Sequence, residues 1–177
     1  QVGKSESLNN WLGYIIDSAP ASTMIVQPTV DIAKKFSKQR IATMLEETPR
    51  LSKKVKSNRS RDSGNTVLVK EFDGGMLNIV GANSAAGLRS IPVRNAGLDE
   101  VDAYPLDVEG EGDPIELVRK RTNTFGNKKK IFLTSTPTIK HLSAIEREYE
   151  KGDQRKYYIP CPFCGVKQPL IFDYLKF

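Results

Sequence analysis

Cysteine is scarce in this chain. Cys161 and Cys164 are the only two, too few and too close together for a disulfide scaffold, and they point to a reducing compartment. No apolar run approaches the ~20 residues that a membrane-spanning helix requires, and residues 1–10 are polar where a secretory signal would carry an apolar stretch. Membrane insertion and secretion are therefore not expected. No internal repeat is present. What remains is ordinary for a globular protein, with 38% hydrophobic and 27% charged residues. A length of 177 residues gives room for one compact domain with a small appendage.

The charge is unevenly placed. Between Lys34 and Arg61 ten Lys/Arg face only Glu46 and Glu47, a local +8 in a chain whose net charge is +6. Such an excess suits contact with phosphates, although a solvated helix face followed by a loop produces the same pattern.

Apolar periodicity alternates between helical and extended stretches, which predicts a three-layer α/β fold around a mostly parallel sheet. Helices are expected over residues 5–17, 31–45, 114–125 and 142–150, the third behind Asp113 as N-cap with Pro114 in the first turn. Strands are expected over residues 23–26, 67–72, 76–80 and 130–134, with Asp73-Gly74-Gly75 turning the middle pair into a hairpin. Residues 93–98 make a weaker strand, diluted by Arg94, Asn95 and Gly97, and residues 52–65 read as an exposed loop.

Three short motifs carry chemistry. Gln1-Val2-Gly3-Lys4-Ser5, running straight into a helix, is the second half of a phosphate-binding loop. In it Gly3 admits the phosphate to the backbone, Lys4 supplies charge, Ser5 can ligate Mg²⁺, and the helix N-terminus adds its dipole. Next comes Leu98-Asp99-Glu100-Val101-Asp102, where the first carboxylate can hold Mg²⁺ and the second can polarise a water. The third is Ile131-Phe132-Leu133-Thr134-Ser135-Thr136-Pro137, a strand tipped with hydroxyls at the sheet edge where ligands bind. Each is weak alone; their order is that of a nucleotide-driven motor.

Together with Ala103-Tyr104-Pro105, Glu111-Gly112-Asp113-Pro114, Arg121-Thr122-Asn123-Thr124-Phe125, Thr138 and Cys161-Pro162-Phe163-Cys164-Gly165, these residues resemble the lambda-type (GpA-like) phage terminase large subunits, over essentially the whole chain. The resemblance implies a P-loop (RecA-like) ATPase that couples ATP hydrolysis to pumping viral DNA into a capsid in the host cytoplasm. It implies ATP and Mg²⁺ as cofactors, and double-stranded DNA, a small terminase subunit and a portal or procapsid as partners. A ring of like subunits is also implied, with a nuclease domain outside this chain.

By position, Lys4 and Ser5 match the phosphate loop, Asp99 the Mg²⁺-holding carboxylate and Glu100 the catalytic glutamate. Thr134, Ser135 and Thr136 match the coupling segment. Arg89 and Arg121, beside matched motifs, are the favoured candidates for an arginine facing the γ-phosphate, ahead of Arg94 and Arg119. Lys53, Lys54, Lys56, Arg59 and Arg61 are the candidate DNA contacts. The strand that feeds the phosphate loop is expected at the centre of the sheet.

The expected division is an ATPase domain over residues 1–155 and a zinc-knuckle-like segment from residue 156 to 177. Cys161 and Cys164 are spaced to grip one Zn²⁺, with the resemblance placing the second pair beyond Phe177; His141 is expected to face solvent at a helix start. Two other readings compete: a helicase-like, nucleic-acid-dependent ATPase, and a non-catalytic DNA- or protein-binding module built on the knuckle and the basic loop. Lys4 followed by Asp99-Glu100 in that order argues against the second.

Overall fold

The computed structural model describes residues 3–55 and 65–169. Helix α1 (Lys4–Ser18) starts behind Gly3, whose φ of 76° turns the chain into the helix, and buries Leu8, Leu12, Ile15 and Ile16. Strand β1 (Thr23–Gln27) follows and is buried throughout. Helix α2 (Val30–Phe36), capped by the Thr29 hydroxyl, passes through a π turn at Ser37–Ile41 into α3 (Ala42–Glu47). The single helix expected over 31–45 thus contains one widened turn. A short helix, α4 (Pro49–Ser52), begins with proline and ends the segment.

The hairpin appears as β2 (Val69–Phe72) and β3 (Gly75–Gly81), antiparallel, with Phe72 opposite Gly75. Then come α5 (Ala85–Arg89), capped by Ser84, and β4 (Asn95–Asp99). Helix α6 (Pro114–Thr122) has the expected Asp113 cap, its carboxylate accepting from the Ile115 N–H. Strand β5 (Lys130–Thr134) has the predicted limits, and α7 (Ala144–Glu150) begins two residues late behind Ser143. Last are β6 (Tyr158–Pro160) and β7 (Lys167–Pro169), a separate two-stranded antiparallel ribbon.

The main sheet has the order β2-β3-β1-β4-β5, with every pair parallel except β2 with β3. Side-chain alternation along the strands divides the core. Met24, Val26, Ala96 and Leu98 pack with Leu88, Ile115 and Val118 on one face. Ile25, Leu77 and Ile79 pack under α1 and α2 on the other. The three-layer expectation is met. Among the described residues the ladder is hydrogen-bonded without a gap from β2 to β5.

β4 explains why composition understated it. A Cβ on Gly97 would lie 2.5 Å from Leu8 Cδ1 and 2.7 Å from Ile25 Cδ1, so glycine is what lets α1 cross the sheet this closely. All five residues of the strand are buried. Gly97→Val is expected to overpack this contact and to cost on the order of 3 kcal/mol, read as a lowered denaturant midpoint at unchanged slope.

Candidate nucleotide site

The parallel strands all point their C-terminal ends one way, and at that edge four chain segments converge. Asp99 ends β4 and stands in register opposite Thr134, which ends β5. Gln27 ends β1, and α1 presents Lys4 and Ser5 from its first turn. Ser5 Oγ donates to Asp99 Oδ1 at 3.4 Å, and Gln27 Nε2 donates to Asp99 Oδ2 at 3.3 Å. Burial pushes the Asp99 carboxyl above its ordinary range, and these two hydrogen bonds pull part of the way back. A buried carboxylate whose neighbouring donors satisfy it incompletely is suited to a hard cation.

Glu100 follows with φ 53°, ψ 52°, a left-handed conformation rare for a residue with a Cβ. Such conformations cost about 1–3 kcal/mol and persist where the surrounding structure enforces them. Here β4 ends and a 3₁₀ turn (Val101–Ala103) begins, and the reversal aims Glu100 at Lys4, whose Nζ lies 3.4 Å from Glu100 Oε1. The same ammonium donates to Thr136 Oγ1 at 2.5 Å. Gly3, Lys4, Ser5, Glu6, Arg40, Glu100, Ser135, Thr136 and Pro137 line a cavity of 740 Å³, within the size range of small-molecule sites.

Behind the cavity, Asp102 binds the two motif-bearing loops together. Its carboxylate accepts from Ser143 Oγ at 2.6 Å, Ile145 N at 2.8 Å, and Thr138 N and Oγ1 at 3.0 and 3.2 Å. Burial alone would raise this carboxyl, but the donors outweigh it and hold the group below the usual carboxylate range. The Asp102 N–H in turn donates to Ser135 Oγ at 3.1 Å. Thr134 Oγ1 is buried with no hydrogen-bond partner among the described residues.

The geometry thus gathers Gly3, Lys4, Ser5, Asp99, Glu100, Ser135 and Thr136, with Thr134 in the adjoining strand end. Gln1 and Val2 lie outside the described residues, as do Lys56, Arg59 and Arg61. The favoured arginines are not brought to the cavity. Arg89 pairs with Glu111 at 2.7 Å, and the Arg121 Nε is buried without a partner among the described residues. Arg94 donates to the Lys128 carbonyl, and Arg119 pairs with Glu148 and Glu116. Of the basic segment, Lys53 is exposed, whereas Lys54 and Arg50 are bound to Asp17 at 2.9 and 2.7 Å and hold its carboxyl far below the ordinary range.

Three residues at the site were not read from the sequence: Gln27, Arg40 and Glu6. Gln27 had one signal, a polar amide ending the apolar run Thr23–Gln27. Arg40 was hidden within the basic run.

At the far end of the chain, Cys161 and Cys164 form a tight knuckle. The Cys161 N–H donates to the Val166 carbonyl, the Gly165 N–H donates to the Cys161 carbonyl, and Gly165 takes a φ of 72°. Backbone N–H groups of Cys164 and Phe163 directed at its sulfur lower the Cys161 thiol pKa. No cluster of three or more metal-ligating side chains occurs among the described residues. His141 is exposed, with φ 66°, two residues before the cap of α7.

No described helix is long and apolar enough to cross a membrane. The fold is shared with the large terminase ATPase domain of Thermus phage P74-26, with a TM-score of 0.59 at 17% identity, covering 96% of this chain and 68% of that one. It is shared also with the large terminase of bacteriophage HK97, with a TM-score of 0.62 at 13% identity, covering 84% of this chain and 30% of that one. In sequence the chain is 30% identical over 179 residues to the terminase large subunit of Escherichia phage lambda, matching along all of its own length and spanning 27% of that protein. Residues 1–177 match the family described as phage terminase large subunit gpA, ATPase domain. By its motifs, its fold and this match along its whole length, the chain belongs to the ATPase-domain family of the gpA-type phage terminase large subunits.

Proposed function

We propose that this chain is the ATP-hydrolysing part of a motor that drives phage DNA into a capsid. The observation that carries the reading is the convergence of Lys4, Ser5, Asp99 and Glu100 on one 740 Å³ cavity at the C-terminal edge of the sheet. Backbone N–H groups at the start of α1 and the Lys4 ammonium bind the phosphates. The donor set of Ser5 hydroxyl and buried Asp99 carboxylate fits Mg²⁺, which when bound neutralises charge on the phosphate oxygens. Glu100 orients the attacking water and takes its proton. Thr136, hydrogen-bonded to Lys4, and Ser135, hydrogen-bonded to the Asp102 N–H, pass a change at the phosphates to the loop that Asp102 ties to α7.

The remaining parts of the reading belong to the larger protein of which the chain is proposed to be a section. Lys53, with the basic residues that follow, contacts DNA phosphates. Like subunits form a ring that docks on a portal, with a small terminase subunit delivering the DNA in the host cytoplasm. Cys161 and Cys164, already posed on one knuckle, supply two thiolates to a structural Zn²⁺ whose other ligands lie outside the described residues.

The test is ATP turnover by the full-length subunit with and without double-stranded DNA. Turnover raised several-fold by DNA supports the motor. Turnover indifferent to DNA removes the coupling, and failure to bind ATP removes the reading altogether.

A further inference from the structure

Arg40 is the one arginine among the described residues that lines the cavity shared by Lys4, Ser5 and Glu100. It sits in the π turn Ser37–Ile41. In a regular α-helix, residues five apart diverge by more than a third of a turn, yet Phe36 and Ile41 are both buried, at 8% and 0% exposure. The widened turn lets both reach the core, and Arg40, immediately before Ile41, lines the cavity. Single π turns of this kind recur at functional sites. Ser37, at the other end of the turn, is buried, and its hydroxyl donates to the Val67 carbonyl, which fixes the turn against the hairpin segment.

The guanidinium itself is held loosely. Its ion pair is with Glu6 at 3.8 Å, with both side chains more than half exposed, a geometry that contributes little. Glu6, one residue beyond Ser5, lines the same cavity. By contrast Arg89, Arg94 and Arg119 are committed to partners elsewhere.

From this placement we infer that Arg40 contacts the terminal phosphate of the nucleotide bound by its own chain and stabilises the charge that develops there during hydrolysis. This deepens the nucleotide reading above and rests on it. The chemistry matches: a planar five-donor fork recognises phosphate oxygens bidentately where a lysine offers a point charge. Lys4 and Arg40 then approach the polyphosphate from two elements, one at the start of α1 and the other at the junction of α2 and α3.

The experiment compares Arg40→Ala, Arg40→Lys and Glu100→Gln with the wild type in the full-length subunit. It measures kcat and KM for ATP, ADP affinity by calorimetry and thermal unfolding. The expected result is a fall in kcat on the order of 100-fold or more for both Arg40 variants, with ADP affinity and unfolding temperature close to wild type. Arg40→Lys, which keeps the stem and the charge, separates loss of the fork from loss of packing. Wild-type rates in both Arg40 variants, with Glu100→Gln inactive, would overturn the role of Arg40 and leave the nucleotide site standing. ADP affinity falling in parallel with kcat in both variants would also overturn it, by showing that the residue shapes the pocket. A wild type as inactive as Glu100→Gln would overturn the nucleotide reading itself.

Discussion

Glu100→Gln is expected to lower ATP turnover by on the order of 10²–10⁴-fold, the range for loss of a positioned general base, while ATP binding stays within a few-fold of wild type. Glutamine keeps the size of the side chain and its hydrogen-bonding reach but cannot take a proton. The backbone argument sharpens the expectation. Glu100 occupies a left-handed conformation at the end of β4, and glutamine has to adopt the same strained φ of 53°, so the substitution tests chemistry with the strain unchanged. The Lys4 ammonium loses an anionic neighbour at 3.4 Å but keeps Thr136 at 2.5 Å, so the phosphate grip persists. Single-turnover hydrolysis alongside equilibrium nucleotide binding checks it. Equal hydrolysis rates in mutant and wild type would leave Glu100 without a catalytic role.

Asp99→Asn separates activity from stability in opposite directions. Removing the carboxylate charge is expected to lower Mg²⁺-dependent hydrolysis by on the order of 10²–10³-fold, as losses of a single pre-placed electrostatic group do. The fold itself gains. Burial raises the Asp99 carboxyl above its ordinary 3.8, so the native state favours the protonated form. For a carboxyl with a raised folded pKa, that stabilisation is full below 3.8 and is lost as pH rises through the raised value. At neutral pH the ionised Asp99 is therefore a liability in the absence of a cation, and the asparagine variant should unfold at a higher temperature in chelator. Added Mg²⁺ should stabilise the wild type more than the variant. Thermal unfolding at neutral pH with chelator and with Mg²⁺ reads this directly; a variant less stable than wild type in both would count against Asp99 as the cation ligand.

Most of the architecture could be read from the chain because the signals were local. Proline behind an aspartate cap marked the start of α6, and the Asp-Gly-Gly turn marked the hairpin. The site motifs also lay in contiguous runs, and parallel pairing carried them to one edge. What escaped depended on tertiary packing. Gly97 diluted the strand signal for a reason visible only with Leu8 above it. Helix α5, five residues long and containing Gly87, is too short for periodicity to register. The π turn leaves no compositional mark, so Arg40 reads as one more member of a basic run, while Arg89 is drawn into an ion pair and Arg121 does not line the cavity. Among the described residues, the arginine that lines the cavity lies outside the matched motifs.

Gly97 contributes no functional group, yet it sets how near α1 lies to the sheet, and the first turn of α1 carries Lys4 and Ser5. A side chain there has to displace the buried Leu8 and Ile25 methyl groups or lift the helix beneath Leu8, and lifting it carries ammonium and hydroxyl away from Asp99 and Thr136. A survey of random substitutions scored by activity alone would therefore place Gly97 among the chemical residues. Only a parallel measurement of how much folded protein accumulates would reveal that this position acts as a spacer, with a hydrogen atom as its working part.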